Sequence, residues 1–290
     1  MPKIKTDDGV LIDYVLDDFT NPWDDVHETI GCLHGSTLNK KFYQPMVPYL
    51  AHQHRVLRWD QRARGESTAP PPGKTLSGEA VDDGETVAKR YARDALAVMD
   101  HLGIDKINWV GDSSGGITGA WFAVLFPDRI KSLTCIQSPL VKIPADFEKH
   151  WAAGEKDPAA AIEKYGMAKY YEIIGTDWVT DPNKGTERFK VWQREQRKKI
   201  ETYSYVGHWK WQSLNDLTSR LHEIKCPTLL LTGDQNKGCI CPLEQQQRIQ
   251  SHIPGCELKV YKNMGHGIAF LEPENASRDI LDFIKRRASA

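Results

Sequence analysis

Two adjacent serines sit in "WVGDSSGGITGA" (109–120), inside a glycine-rich turn. A serine hydroxyl held on a sharp strand-to-helix turn can attack an acyl carbon. Such a turn tolerates only very small residues two positions before and two after the nucleophile. Ser113 has Gly111 and Gly115 there, whereas Ser114 has Asp112 and Gly116, so the frame selects Ser113. The hydroxyl is a weak nucleophile until a base takes its proton. Among ten histidines, His266 stands in "VYKNMGHGIAFLEP" (260–273), past the last strand-like run and before the closing helix. Gly265 and Gly267 flank it, which lets that loop approach closely. The developing oxyanion needs backbone N–H groups aimed at it. Ser114 is expected to give its amide rather than its hydroxyl, and Ser36 in "LHGST" (33–37) to give the second. His34 reads as a residue that shapes this loop, not as a second base.

The elements that must hold these groups are legible in the pattern. "KINWV" (106–110) is a short apolar run leading into the turn, and "GGITGAWFAVLF" (115–126) leads out with helical spacing. "TIGCL" (29–33), "RVLRW" (55–59), "RIKSLTCIQ" (129–137), "CPTLLLTG" (226–233) and "CELKVYKN" (256–263) read as further strands, and "VLIDYVL" (10–16) as an antiparallel edge strand. Helical stretches fall at 42–53, at 85–103 with a stop at Gly103, and at 276–287. Alternating strands and helices predict an α/β fold with a mostly parallel, doubly wound sheet. Between 140 and 222 the alternation gives way to a charged, helix-rich segment crowded with aromatics, among them Trp151, Trp178, Trp192, Trp209 and Trp211. The expected organisation is a core of residues 1–139 and 223–290 with a helical cap at 140–222. A few cap rings should roof an apolar pocket where the two parts meet. Trp192 and Trp209, with Gly35, are the expected substrate-binding residues.

Composition narrows the partner. At 290 residues with 40% hydrophobic residues and a net charge of −1, the chain reads as an ordinary soluble globular protein. No cationic excess is available to offset phosphates, which argues against nucleic acid. The N-terminus carries no apolar stretch of signal-peptide or membrane-span length, so a cytoplasmic location and no membrane partner are expected. The cysteines, including the Cys239-x-Cys241 pair, have no second Cys or His pair at zinc spacing and read as reduced thiols, with no metal. A small-molecule substrate is the expected partner, and the sequence leaves open whether the chain is a homodimer.

"HGS", "RWDQRARGES", "VGDSSGG", "FPDRI", "CPTLLLTGD" and "MGHG" occur in an order that resembles the α/β-hydrolase superfamily over nearly the whole chain. That resemblance implies a cofactor-free Ser-His-acid enzyme acting on an ester, lactone, amide or related bond. A serine at 113 argues against the branches that use an aspartate nucleophile. The chain departs from the pattern in two places. In "DQRARGES", Ala63 replaces the first glycine of the usual loop. The triad acid typically lies in G-x-x-D after the seventh strand, where "GDQNKG" (233–238) has Asn236. In relatives resembling fungal zearalenone lactonases it follows the sixth strand, where "CIQSPL" (135–140) offers only Gln137 and Ser138. Asp234 is therefore the expected acid, ahead of Glu244; the alternative is a turn-capping Asp234 with Asn236 as a neutral partner for the histidine. The expected function is hydrolysis of a small or medium apolar, ring-containing ester or lactone through an acyl-Ser113 intermediate. A carbon–carbon bond hydrolase of the meta-cleavage type, a weakly catalytic binding protein and a cofactor-free oxygenase are the alternatives.

Overall fold

Eight strands form one sheet in the order β1-β2-β4-β3-β5-β6-β7-β8 in the computed structural model, which describes residues 2–23, 27–71, 73–78, 82–175, 187–235 and 240–288. The strands are β1 (Lys3–Lys5), β2 (Leu11–Asp17), β3 (Thr29–Leu33), β4 (Arg55–Trp59), β5 (Ile107–Asp112), β6 (Ile130–Ile136), β7 (Thr228–Gly233) and β8 (Glu257–Tyr261). β1 and β2 run antiparallel, and every pairing from β4 to β8 is parallel. The antiparallel strand expected at 10–16 forms as β2, but the three-residue β1 lies outside it at the edge. A run as short as "KIK" carries too little periodicity to be seen.

Helices cover both faces, as a doubly wound sheet requires. α2 (Gly84–His101), α3 (Ser114–Leu125) and α8 (Leu243–His252) share one core with Trp59, Trp109 and Leu133. α1 (Val47–Leu50) and α10 (Pro273–Ala288), with the short α9 (Ile268–Leu271), share the other with Ile30, Val110 and Leu231. α2 starts on Asp83, whose carboxylate accepts from the Glu85 and Thr86 amides, and the chain leaves it at Gly103, with φ of +65°. The helix expected at 42–53 is interrupted: a 3₁₀ turn at Lys40–Tyr43 precedes α1, which has Pro48 in its first turn.

Between β6 and β7 stand α4 (Ala145–Trp151), α5 (Pro158–Ile174), α6 (Glu187–Lys198) and α7 (Thr202–Leu214). They have a hydrophobic core of their own, in which Trp151 and Trp209 stack with ring centroids 4.8 Å apart and planes 2° from parallel. Trp211 turns away from that core and packs edge-on against Tyr91 of α2. Trp178, Asn236 and Cys239 lie outside the described residues. Among the described helices none is long and apolar enough to cross a membrane.

Candidate active site

The turn between β5 and α3 is built as its glycine frame dictates. Ser113 adopts φ 52°, ψ −116°, a conformation of high backbone strain for a residue with a β-carbon. A Cβ on Gly111 would collide with the Gly115 backbone, and one on Gly115 with the Leu33 carbonyl, so bulk at either position would push the turn off the neighbouring strand. Trp109 braces the turn from below, its indole N–H donating to the Gly115 carbonyl at 3.1 Å. Ser114 is fully buried as the first residue of α3, where amides have no partner within the helix.

Ser113 opens into a narrow cavity, with about 620 Å³ of empty space once the open solvent at its mouth is counted. Gly35, Ser36, Asp112 and His266 line it from the sheet side, and Trp151, Trp209 and Arg197 from the inserted helices. Four expected residues (Ser113, His266, Ser36 and Gly35) and the expected Trp209 thus share one cavity. Trp192 does not. It faces an outer groove with Phe42, Phe189 and Phe270, because its turn of α6 packs against α9 rather than over the turn carrying Ser113.

The loop after β3 is fixed by buried polar contacts. His34 is fully buried; its Nδ1 lies 2.7 Å from the Gly35 carbonyl and its Nε2 accepts from the Gln61 amide at 3.1 Å. Those two bonds fit the neutral ring, and burial pulls its pKa down to about 4. His34 shapes the loop, as expected. Arg64 donates to the Ser36 carbonyl at 2.6 Å, tying the loop after β4 to the Ser36 segment. The departure at Ala63 has a local consequence: this alanine takes φ +60°, where a glycine would be unstrained.

The loop carrying His266 is clasped from two sides. At the end of β7, Gly233 presses against the Met264 carbonyl, which also accepts from the Gln235 amide at 2.9 Å. Gln137, buried at the end of β6 with φ +47°, donates its amide to the Gly265 carbonyl and accepts from the Gly267 amide at 2.8 Å. Its side chain therefore grips the backbone on both sides of the histidine. His266 Nδ1 lies 3.8 Å from the Cys241 sulfur.

The acid expected at Asp234 is not delivered to the histidine. Its Oδ1 accepts from the Asn263 amide at 2.7 Å and from the Gln235 side chain at 3.2 Å, closing the turn after β8. Glu244 opens α8 instead. One carboxylate that the sequence reading passed over does reach the cavity. Asp112, 3% exposed, lines it beside Ser113, and its Oδ1 has no hydrogen-bond partner among the described residues. Burial pushes its pKa up to about 6, with the His266 charge acting weakly against that rise. Asp112 is visible in the motif itself, as the last residue of β5 directly before Ser113.

The family model described as alpha/beta hydrolase fold matches residues 29–273. Among curated proteins, the chain is similar to a 2-hydroxy-6-oxononadienedioate/2-hydroxy-6-oxononatrienedioate hydrolase of Klebsiella pneumoniae, 24% identical over 276 residues covering 92% of this chain and 90% of that one. It is also similar to 3-oxoadipate enol-lactonase 1 of Acinetobacter baylyi, 24% identical over 260 residues covering 89% and 86%. Among solved structures, an esterase from Exiguobacterium antarcticum superposes with a TM-score of 0.79 at 18% identity, covering 98% of each chain. With a family model spanning most of its length and a sheet of the matching topology, the chain belongs to the α/β-hydrolase fold family.

Proposed function

We propose that this protein is a serine hydrolase of a carboxylic ester or lactone. The observation that carries the reading is the strained Ser113 turn opening into the same cavity as His266 and the Gly35–Ser36 loop. His266 takes the Ser113 proton as Oγ adds to the substrate carbonyl, giving a tetrahedral oxyanion. The Ser36 and Ser114 amides receive that charge. As the oxyanion collapses, the carbon–oxygen bond to the leaving group breaks and His266 returns the proton to the departing oxygen. Water then adds to the acyl-Ser113 by the same route in reverse, releasing the acid and regenerating the serine. No step needs a cofactor. Asp234 acts in this reading on the loop backbone and not on the imidazole.

Fluorophosphonate labelling with peptide mass spectrometry, beside p-nitrophenyl ester turnover by wild type and Ser113→Ala, tests the assignment. The expected result is an adduct on Ser113 and a variant slowed by at least ~10³-fold, the loss typical of a removed nucleophile. An unlabelled Ser113 together with undiminished turnover in the alanine variant would overturn it, since the hydrolysis would then run without this serine. The second reading is a carbon–carbon bond hydrolase, favoured by the relative named for a 2-hydroxy-6-oxononadienedioate substrate. Turnover of a 2-hydroxy-6-oxo-dienoic acid faster than of any simple ester would select it.

A further inference from the structure

Five arginines are buried among the described residues, and three of them have carboxylate partners. Arg62 binds Asp94 and Asp8, Arg58 binds Asp17, and Arg90 binds Asp7 and Asp94. The other two, Arg197 and Arg64, have none among the described residues. Arg197 comes from α6, is 3% exposed and lines the Ser113 cavity. Its guanidinium lies 4.1 Å from the centroid of the Tyr171 ring, and its Nε meets no acceptor. Arg64 stands 5.2 Å from the centroid of the Tyr205 ring. Its hydrogen bonds go to the Ser36 and Ala63 carbonyls, and its Nη2 meets no acceptor. The Tyr171 and Tyr205 hydroxyls bond to each other at 2.5 Å, so two uncompensated cations flank one aromatic pair.

Desolvating a guanidinium is costly, and a cation–π contact offsets only part of that cost. A planar anion would complete the set, because a carboxylate matches the guanidinium fork in two parallel hydrogen bonds. We propose that Arg197 is the anchor for a free carboxylate on the substrate, so that this site takes esters or lactones that also carry an acid group. The inference rests on the serine-hydrolase reading for the bond that is cleaved, but not for the anion site itself. Arg64 sits behind the tyrosine pair and adds positive potential without touching the ligand. Arg197 also borders an outer groove whose charged lining is Arg194, Lys198 and Glu172, so with Arg197 its cations outnumber its one carboxylate on the approach to it.

Two ester pairs test the preference with the charge on either side of the scissile bond. One pair is mono-4-nitrophenyl glutarate against 4-nitrophenyl pentanoate; the other is 4-carboxyphenyl pentanoate against its methyl ester. In at least one pair the charged ester should exceed its neutral counterpart by ~10-fold or more in kcat/KM, through KM, as a charged hydrogen-bond pair allows. Arg197→Met should abolish that ratio and Arg197→Lys should keep part of it. Calorimetry on the Ser113→Ala protein supplies a readout free of turnover, with monomethyl glutarate binding at least ~10-fold more tightly than dimethyl glutarate. Neutral esters turned over as fast as charged ones, or a ratio that survives Arg197→Met, overturns the anion site and leaves the hydrolase reading standing. Arg197-dependent binding of monomethyl glutarate by a protein that cleaves no ester overturns the hydrolase reading and leaves the anion site standing.

Discussion

Gln137→Glu separates two jobs that one side chain could have at the end of β6. The glutamine amide donates to the Gly265 carbonyl while its oxygen accepts from the Gly267 amide. A protonated glutamic acid reproduces both bonds, since its O–H donates and its C=O accepts. An ionised glutamate loses the donor and sets a buried carboxylate oxygen against the Gly265 carbonyl. The site is fully buried, so the folded-state pKa of the introduced carboxyl should rise well above its unfolded value of about 4.3. The folded protein then holds a proton that the unfolded chain has released, so the variant loses stability as pH rises through that window. A rise of about three units corresponds to roughly 4 kcal/mol once the window is passed. Urea unfolding of wild type and variant at pH 4.5 and pH 8 measures it, and the difference between the two proteins cancels every other titrating group. Near-equal stability at pH 4.5 and a deficit of roughly 4 kcal/mol at pH 8 is the expected pattern. At pH 8 kcat should also fall, by ~10²-fold for a histidine displaced by about 1 Å. A deficit that is the same at both pH values would refute the clasp. A stable and more active variant at pH 8 would show that the carboxylate had reached the imidazole instead.

Asp112→Asn removes a buried carboxylate whose pKa burial raises to about 6, against the ordinary 3.8. Wild-type stability should therefore fall between those two pH values, and the variant should gain up to about 3 kcal/mol over it at pH 8 and nothing at pH 3.5, read by urea unfolding. His34 has the opposite sign. With its pKa lowered to about 4 by burial, the unfolded chain binds its proton first, and about 3 kcal/mol of stability should drain away as pH falls from 6.5 to 4. That slope should be absent from His34→Gln. Gly65→Ala places a Cβ at φ +55° against the Asp60 carboxylate and should cost at least ~2 kcal/mol in a thermal or urea melt.

The turn that carries Ser113 was legible because its demands are local. Two glycines at fixed offsets, an apolar run before and a helical one after are all visible within a dozen residues. The histidine was legible from chain order, and the parallel strands from runs such as "TLLLTG" that are buried on both faces. The surroundings of His266 were not, because they depend on how three loops at the ends of β6, β7 and β8 meet. Asp234 has the right chemistry two residues short of the usual place, and the Asn263 amide takes it first. Gln137, weighed only as a missing carboxylate, serves through both ends of its amide, a role no side-chain type announces. Trp192 and Trp209 were equivalent in the sequence, and only helix packing sends one to the outer groove and the other to the cavity.

The placement of buried charge separates framework from site. Lys40 is held by Asp13 and Asp60, and Arg62 by Asp94 and Asp8, and both clusters pin the loop that follows β4. Removing one partner of such a set strands the other, so these groups are kept by the fold itself. Asp112 and Arg197 have no such partner among the described residues, and both line the cavity that holds Ser113. An unpaired buried charge lowers stability, and a chain under selection for folding alone would replace it with a neutral residue of the same size. Asp112 from the sheet and Arg197 from the inserted helices give the cavity an internal polarity, acidic beside Ser113 and basic under those helices. A ligand with its carboxylate at Arg197 and its neutral carbonyl at Ser113 pairs the cation and keeps its own charge away from Asp112, whereas the reversed pose sets carboxylate against Asp112. The same two charges that weaken the empty protein would thus fix the direction in which its substrate lies.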